Sequence, residues 1–125
     1  MEIQRLVIDR APKPDGAFVH ATVHGDTVYC AGQVGNDPVT GSMADGIEAQ
    51  TRQALRNLST VLAATGSDLS KVLSARVFIR DFGDFDIMDR VFREFFGDQL
   101  PARTTVPCPG YPPELEVEID LVAAL

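Results

Sequence analysis

The sequence predicts an α+β domain in which two helices lie on one face of a β-sheet. Three observations carry that prediction. Leu115–Leu121 alternates strictly, with Glu116, Glu118 and Asp120 set between Leu115, Val117, Ile119 and Leu121, the pattern of a strand buried on one face. Ile47–Leu62 and Phe85–Phe96 instead repeat their apolar residues at helical spacing. The order of segments is strand, hairpin, helix, strand, helix, two strands, which fits helices gathered on a single sheet layer. At 125 residues the chain is expected to form one domain, 1–125, burying roughly two-thirds of its unfolded surface.

Glu2–Asp9 reads as a first strand, and Ala11-Pro12-Lys13-Pro14-Asp15-Gly16 as a loop. Ala17–His24, rich in β-branched and aromatic residues, is a second strand. Gly25-Asp26 has glycine first, as a type II′ hairpin turn prefers, and Thr27–Ala31 returns. In that register His24 faces Thr27, His20 faces Ala31 and Phe18 faces Gln33, so Phe18 lies beside the Ala31-Gly32-Gln33 segment. Gly32 marks a bulge or a close backbone approach. His20 and His24 are four apart, but on a strand that spacing separates them by about four rises of 3.4 Å, so no metal site is expected from them. Cys30, between Tyr29 and Ala31, reads as a buried inert thiol.

Asn36–Gly46 is turn-rich and lacks the Gly-Lys-Ser/Thr of a phosphate loop. Asp45, three before Glu48, opens the first helix as a capping-box-like start. Ile47, Thr51, Ala54, Leu55, Leu58, Val61 and Leu62 form its apolar stripe, and Gly66 its C-terminal cap. Lys71–Arg80 is a strand with Leu73, Ala75, Val77 and Ile79 on one side and Val72, Ser74, Arg76 and Phe78 on the other. Asp84 caps a second helix whose stripe is Phe85, Met88, Val91, Phe92, Phe95 and Phe96; Gly97 ends it. Arg103 then sits in a short extended segment, followed by the turn-forming Pro109-Gly110-Tyr111-Pro112-Pro113-Glu114 and the alternating strand. Paired as a hairpin, these two segments put Thr105 opposite Glu118, with Arg103 diagonal to Glu118 on the acidic face. Periodicity reads that face as a solvated surface with a cross-strand ion pair; chemistry reads it as a carboxylate-binding group beside a proton-transfer group.

Composition narrows the function. The formal charge of −7, with no basic cluster, disfavours nucleic acid as a partner. No apolar run reaches the length of a membrane span, and Met-Glu-Ile-Gln-Arg does not resemble a signal peptide. Two cysteines, Cys30 and Cys108, form neither a disulfide framework nor a metal spacing, which fits a reducing cytoplasm.

The motifs, in order, resemble those of the Rid (RidA/YjgF) family of imine/enamine deaminases. They are Ala31-Gly32-Gln33-Val34, Asp37-Pro38-Val39-Thr40-Gly41, Ile47-Glu48-Ala49-Gln50-Thr51-Arg52-Gln53, Asp84-Phe85, Phe95-Phe96-Gly97, Pro101-Ala102-Arg103 and Val117-Glu118-Ile119. The resemblance spans nearly the whole chain. It implies a chorismate-mutase-like mixed sheet assembling as a homotrimeric barrel with helices outside and sites between subunits. It also implies hydrolysis of 2-iminobutanoate- and 2-iminopropanoate-type intermediates to 2-keto acids and ammonia, with no cofactor and no metal. Carried over residue by residue, Arg103 matches the arginine that binds the substrate carboxylate. Glu118 matches the glutamate that positions water, and Thr105 a position whose backbone N–H assists. Gly32 and Ala31 match site-lining positions, Ala31 where many members have serine. Phe18 stands where the best-known deaminases have tyrosine, an expectation of apolar or aromatic substrate side chains. Thr104 and Thr105 replace the usual serine and cysteine. Other readings are a related deaminase acting on an aminomuconate- or aminoacrylate-type enamine, and a non-catalytic trimer binding a small carboxylate. Some relatives carry an endoribonuclease label, which the acidic charge disfavours here.

Overall fold

The structure, a computed structural model, describes residues 1–109 and 112–125; the Gly110 and Tyr111 part of the expected turn lies outside the described residues. Among the described residues, six strands form one sheet: β1 (Ile3–Leu6), β2 (Ala21–His24), β3 (Thr27–Val34), β4 (Val72–Ile79), β5 (Ala102–Pro107) and β6 (Val117–Ala124). Their spatial order is β1-β2-β3-β6-β4-β5, antiparallel except for the parallel pair β4–β5. Two helices, α1 (Gly46–Thr65) and α2 (Phe85–Phe96), complete the α+β fold.

The hairpin forms in the expected register, His24 opposite Thr27 and Ala21 opposite Cys30, and the Ala31 N–H donates to the His20 carbonyl at 2.9 Å; the strand begins at Ala21 rather than Ala17, so Phe18 is outside the ladder and does not pair with Gln33. Gly25 has φ +62 while Asp26 does not enter the positive-φ region, as a type II′ turn requires. All seven stripe residues of α1 are buried, and so are Met88, Val91, Phe92 and Phe96 of α2. Apart from Thr51, whose hydroxyl donates to the Ile47 carbonyl at 2.7 Å, they pack with Val28, Ala75, Val77, Val117, Ile119, Leu121 and Ala123 from the sheet into one apolar cluster. Gly66 closes α1 at φ 87, with the Ser67 N–H bonded back to the Leu62 carbonyl at 3.0 Å.

Four further expectations are corrected. Asp45 and Asp84 stand at the two N-cap positions but neither side chain makes a capping hydrogen bond. Asp81 instead accepts from the Gly83 N–H at 2.8 Å, organising the 3-10 turn before α2. Leu73 leaves the apolar row: β4 shifts register between Val72 and Ser74, so Val72 joins the core and Leu73 is 55% exposed. The fourth correction matters most. β5 and β6 do not form a hairpin, because β4 lies between them. The strand β4, the helix α2 and the strand β5 make a crossover unit, which sets β5 parallel to β4.

Candidate functional site

In this sheet, residues opposite one another on neighbouring strands share a face. Arg103 pairs with Ala75, which pairs with Leu121; both partners are buried in the core. Arg103 therefore points to the helix side. Glu118 pairs with Phe78 and Val34, and it alternates with the fully buried Val117 and Ile119. It therefore points to the other side. The residues of β5 that share the acidic face are Ala102, Thr104 and Val106, with Thr104 in register with Arg76 and Asp120 and Val106 with Phe78 and Glu118, whereas Thr105 follows Arg103 on the helix side. The expected diagonal pair of Arg103 and Glu118 does not exist within one chain.

Glu118 lines a cavity of about 230 Å³ together with Phe18, Gly32, Gln33, Asn36 and the Pro12–Asp15 segment. Three local features build it. The β3–β6 register shifts between Cys30 and Gln33, which throws the Ala31-Gly32 backbone out of the ladder. Gly32 leaves room there, since a Cβ at this position would collide with the Glu118 carboxylate. Finally, His20 is almost fully buried and clips the wall segment in place. Its Nδ1 accepts from the Ile8 N–H at 2.8 Å, so Nε2 carries the proton and donates to the Pro12 carbonyl at 2.6 Å. Among the described residues, Asn36 Oδ1 is a buried side-chain oxygen with no hydrogen-bond partner, and Asn36 lines this same cavity.

The position of Glu118 is set from α1 by a residue whose role the sequence alone did not disclose. Gln50 is buried, and its Nε2 donates to the Ala44 and Glu114 carbonyls at 3.0 and 2.7 Å. Its Oε1 accepts from the Glu116 N–H at 2.8 Å, so one amide fastens the entry of β6 to the helix. Asn57 does the same for β3, its Nδ2 donating to the carbonyls of Val34 and Asn36. A polar residue on an otherwise apolar helix stripe was the available signal; partners this distant in sequence are visible only in the fold.

Arg103 belongs to a different cavity, about 250 Å³, lined by Asp89, Phe92, Arg93, Leu100 and Pro101. Its Nη1 lies 2.8 Å from Asp89 Oδ1, and the guanidinium carbon sits 4.7 Å from the Phe92 ring centroid and 5.4 Å from that of Phe85. Asp120, in the acidic row, is taken up by Arg76, whose Nε and Nη2 donate to its two oxygens at 3.0 and 2.7 Å. Among the described residues no group of three or more His, Cys, Asp or Glu is placed to hold a metal ion, and no helix is long and apolar enough to cross a membrane.

Burial, with the Asp120 carboxylate adding to it, pushes the Cys30 thiol from 9.0 up to about 12. The unfolded chain's thiol ionises first, so this group's contribution to stability is intact below about pH 9 and is lost as pH climbs toward 12. Iodoacetamide at pH 8 is expected to leave Cys30 unmodified in the folded protein and to label it after denaturation. Peptide mass spectrometry that found Cys30 labelled in the native protein would contradict this burial.

The family model described as endoribonuclease L-PSP matches residues 8–125 of the chain. A RutC family protein of Pyrococcus horikoshii is 38% identical over 119 residues, covering 94% of this chain and 94% of that one. A 2-iminobutanoate/2-iminopropanoate deaminase of Dermatophagoides farinae is 37% identical over 116 residues, 92% of this chain and 91% of that one. Among solved structures, E. coli TdcF with bound serine matches with a TM-score of 0.90 at 28% identity, over 97% of this chain and 99% of that one.

Proposed function

The chain belongs to the endoribonuclease L-PSP (YjgF/RidA) family, and on that premise we propose that it hydrolyses reactive 2-imino acids to 2-keto acids and ammonia. One observation carries the shape of the site. Arg103 and Glu118 point to opposite faces of one sheet and line separate cavities, so a small ligand meets both only where two copies of the chain adjoin. A ring of three subunits satisfies this, the Arg103 edge of one facing the Glu118 cavity of the next. Tyr29 at 49% and Phe18 at 45% exposed, with Ile3 and Val106, supply apolar surface for such a contact. Light scattering in dilute buffer tests the assembly, and a monomer would remove this site.

The chemistry follows from the side chains. The Arg103 guanidinium, always charged, binds the substrate carboxylate. The protonated imine carbon is already electrophilic, so water needs orientation and a proton acceptor more than strong activation. Glu118 takes a proton from the attacking water as the C–O bond forms. It returns that proton to the amino nitrogen of the carbinolamine; as the C–N bond breaks and ammonia leaves, the carboxylate takes up the hydroxyl proton, the C=O bond closes, and the proton passes on to ammonia. The net change is protonated imine plus water to ketone plus ammonium, with no electrons exchanged. A relative named for 2-imino acid deamination and another solved with serine, itself an α-amino carboxylate, support this substrate class. Phe18 lines the Glu118 cavity beside Pro12, Lys13, Asp15, Gln33 and Asn36, and, lacking a hydroxyl, it is expected to favour apolar or aromatic substrate side chains.

The test is an imino acid generated in situ, followed with and without the protein. Faster imine loss than in buffer supports the enzyme; saturable binding without turnover supports a carboxylate-binding protein instead. Gly32→Ala adds a sharper arm. The new methyl meets Glu118 side-chain atoms rather than backbone, so the strain falls on that side chain and stability is expected to change by only about 1 kcal/mol. Turnover is expected to fall at least tenfold, because about 1 Å of misplacement suffices for that. A folded variant with wild-type turnover would count against Glu118.

A further inference from the structure

We propose that Asp89 is a positioning residue for Arg103, an inference that rests on Arg103 being the carboxylate-binding group. In α2, Phe85, Asp89 and Phe92 are spaced by four and three residues, so one helix face presents a ring, a carboxylate and a ring in line. Residues at these positions of the stripe are otherwise apolar, and a carboxylate among them costs desolvation unless it is paired. The pairing is with Arg103: Nη1 to Asp89 Oδ1 at 2.8 Å, with side chains only 17% and 34% exposed. Phe92 and Phe85 lie against the same guanidinium at 4.7 and 5.4 Å. The arginine's long side chain is thus held by a charge at one nitrogen and by rings against its plane. The contact with Asp89 runs through Nη1, and a guanidinium carries five N–H donors, more than one carboxylate oxygen can take up, so donors remain for a ligand carboxylate. The cavity beside it, bounded by Leu100 and Pro101, opens where that ligand would approach.

A positioning group acts on binding in ground and transition states alike, so its loss appears in KM rather than kcat. Asp89→Leu keeps the apolar stripe intact. It is expected to raise KM for an imino acid about tenfold with kcat changed less than about twofold. Asp89→Asn retains an acceptor oxygen at the same place and is expected to stay within about threefold of the wild-type KM. In an Arg103→Ala background, Asp89→Leu should change KM no further, the signature of action through the arginine. A purely structural ion pair would move the melting temperature of both variants and leave KM alone. An unchanged or lowered KM in Asp89→Leu overturns the proposal while an impaired Arg103→Ala keeps the site itself. An Arg103→Ala protein of full activity overturns the site reading, and the proposal with it.

Discussion

Glu118→Gln is expected to lower the turnover of imino-acid hydrolysis by about a hundredfold or more, with KM nearly unchanged. The amide keeps the side chain's shape beside Gly32 but cannot accept a proton from the attacking water, and general-base contributions run to about 10²–10⁴-fold. Glu118 is on β6, anchored at its entry by Gln50, with Val117 and Ile119 fully buried on either side. The substitution removes chemistry from a position whose backbone stays fixed. Melting temperature serves as the folding control. A well-folded Glu118→Gln protein with undiminished kcat would exclude the carboxylate from the reaction.

Arg103→Lys is expected to cost more than tenfold in kcat/KM, chiefly through KM. Lysine retains the charge but loses the planar fork, and losing a charge-assisted bidentate contact is worth on the order of 2 kcal/mol. If Arg103 served only its ion pair with Asp89, the lysine, which keeps the charge, would leave activity intact. Steady-state kinetics of the lysine variant separate the two, and an unaltered KM would defeat the assignment. The same two positions test the subunit arrangement. If each site draws Arg103 from one copy and Glu118 from another, reassembling equal amounts of Arg103→Ala and Glu118→Gln chains restores about a quarter of the sites. Sites contained within single chains would stay inactive in the mixture.

The sequence disclosed those features that depend on contiguous residues. Helix periodicity placed the buried stripes of α1 and α2, glycine ended both helices, and Gly25-Asp26 set the register of β2 and β3. Phe18, expected on the second strand opposite Gln33, lies outside β2 and lines the cavity with Gly32 from the segment that precedes it. Alternation identified β6 and put Glu118 opposite in facing to Val117 and Ile119. Motif order was enough to suggest the family, and Arg103 and Glu118 as its site. Neighbourhood was another matter. Reading β5 and β6 as a hairpin followed from their adjacency along the chain, and it put Arg103 on the wrong face.

What decided the arrangement is burial and hydrogen-bond supply across the whole sheet. In β6, Val117, Ile119, Leu121 and Ala123 are all essentially buried, a strand fit for the centre of a sheet. β5 ends at Pro107, which has no N–H to give a second neighbour, and it is mostly exposed; the edge accommodates it. The helix α2 between β4 and β5 makes their parallel pairing short and natural, leaving the far side of β4 to β6. Once β5 is the outer strand, Arg103 turns toward Phe85, Asp89 and Phe92, and Glu118 toward Gly32. The sequence by itself determined the elements and the chemical groups they carry. Only the tertiary structure decided that the two groups face opposite ways, because strand order is set by the free energy of the assembled sheet and not by position along the chain.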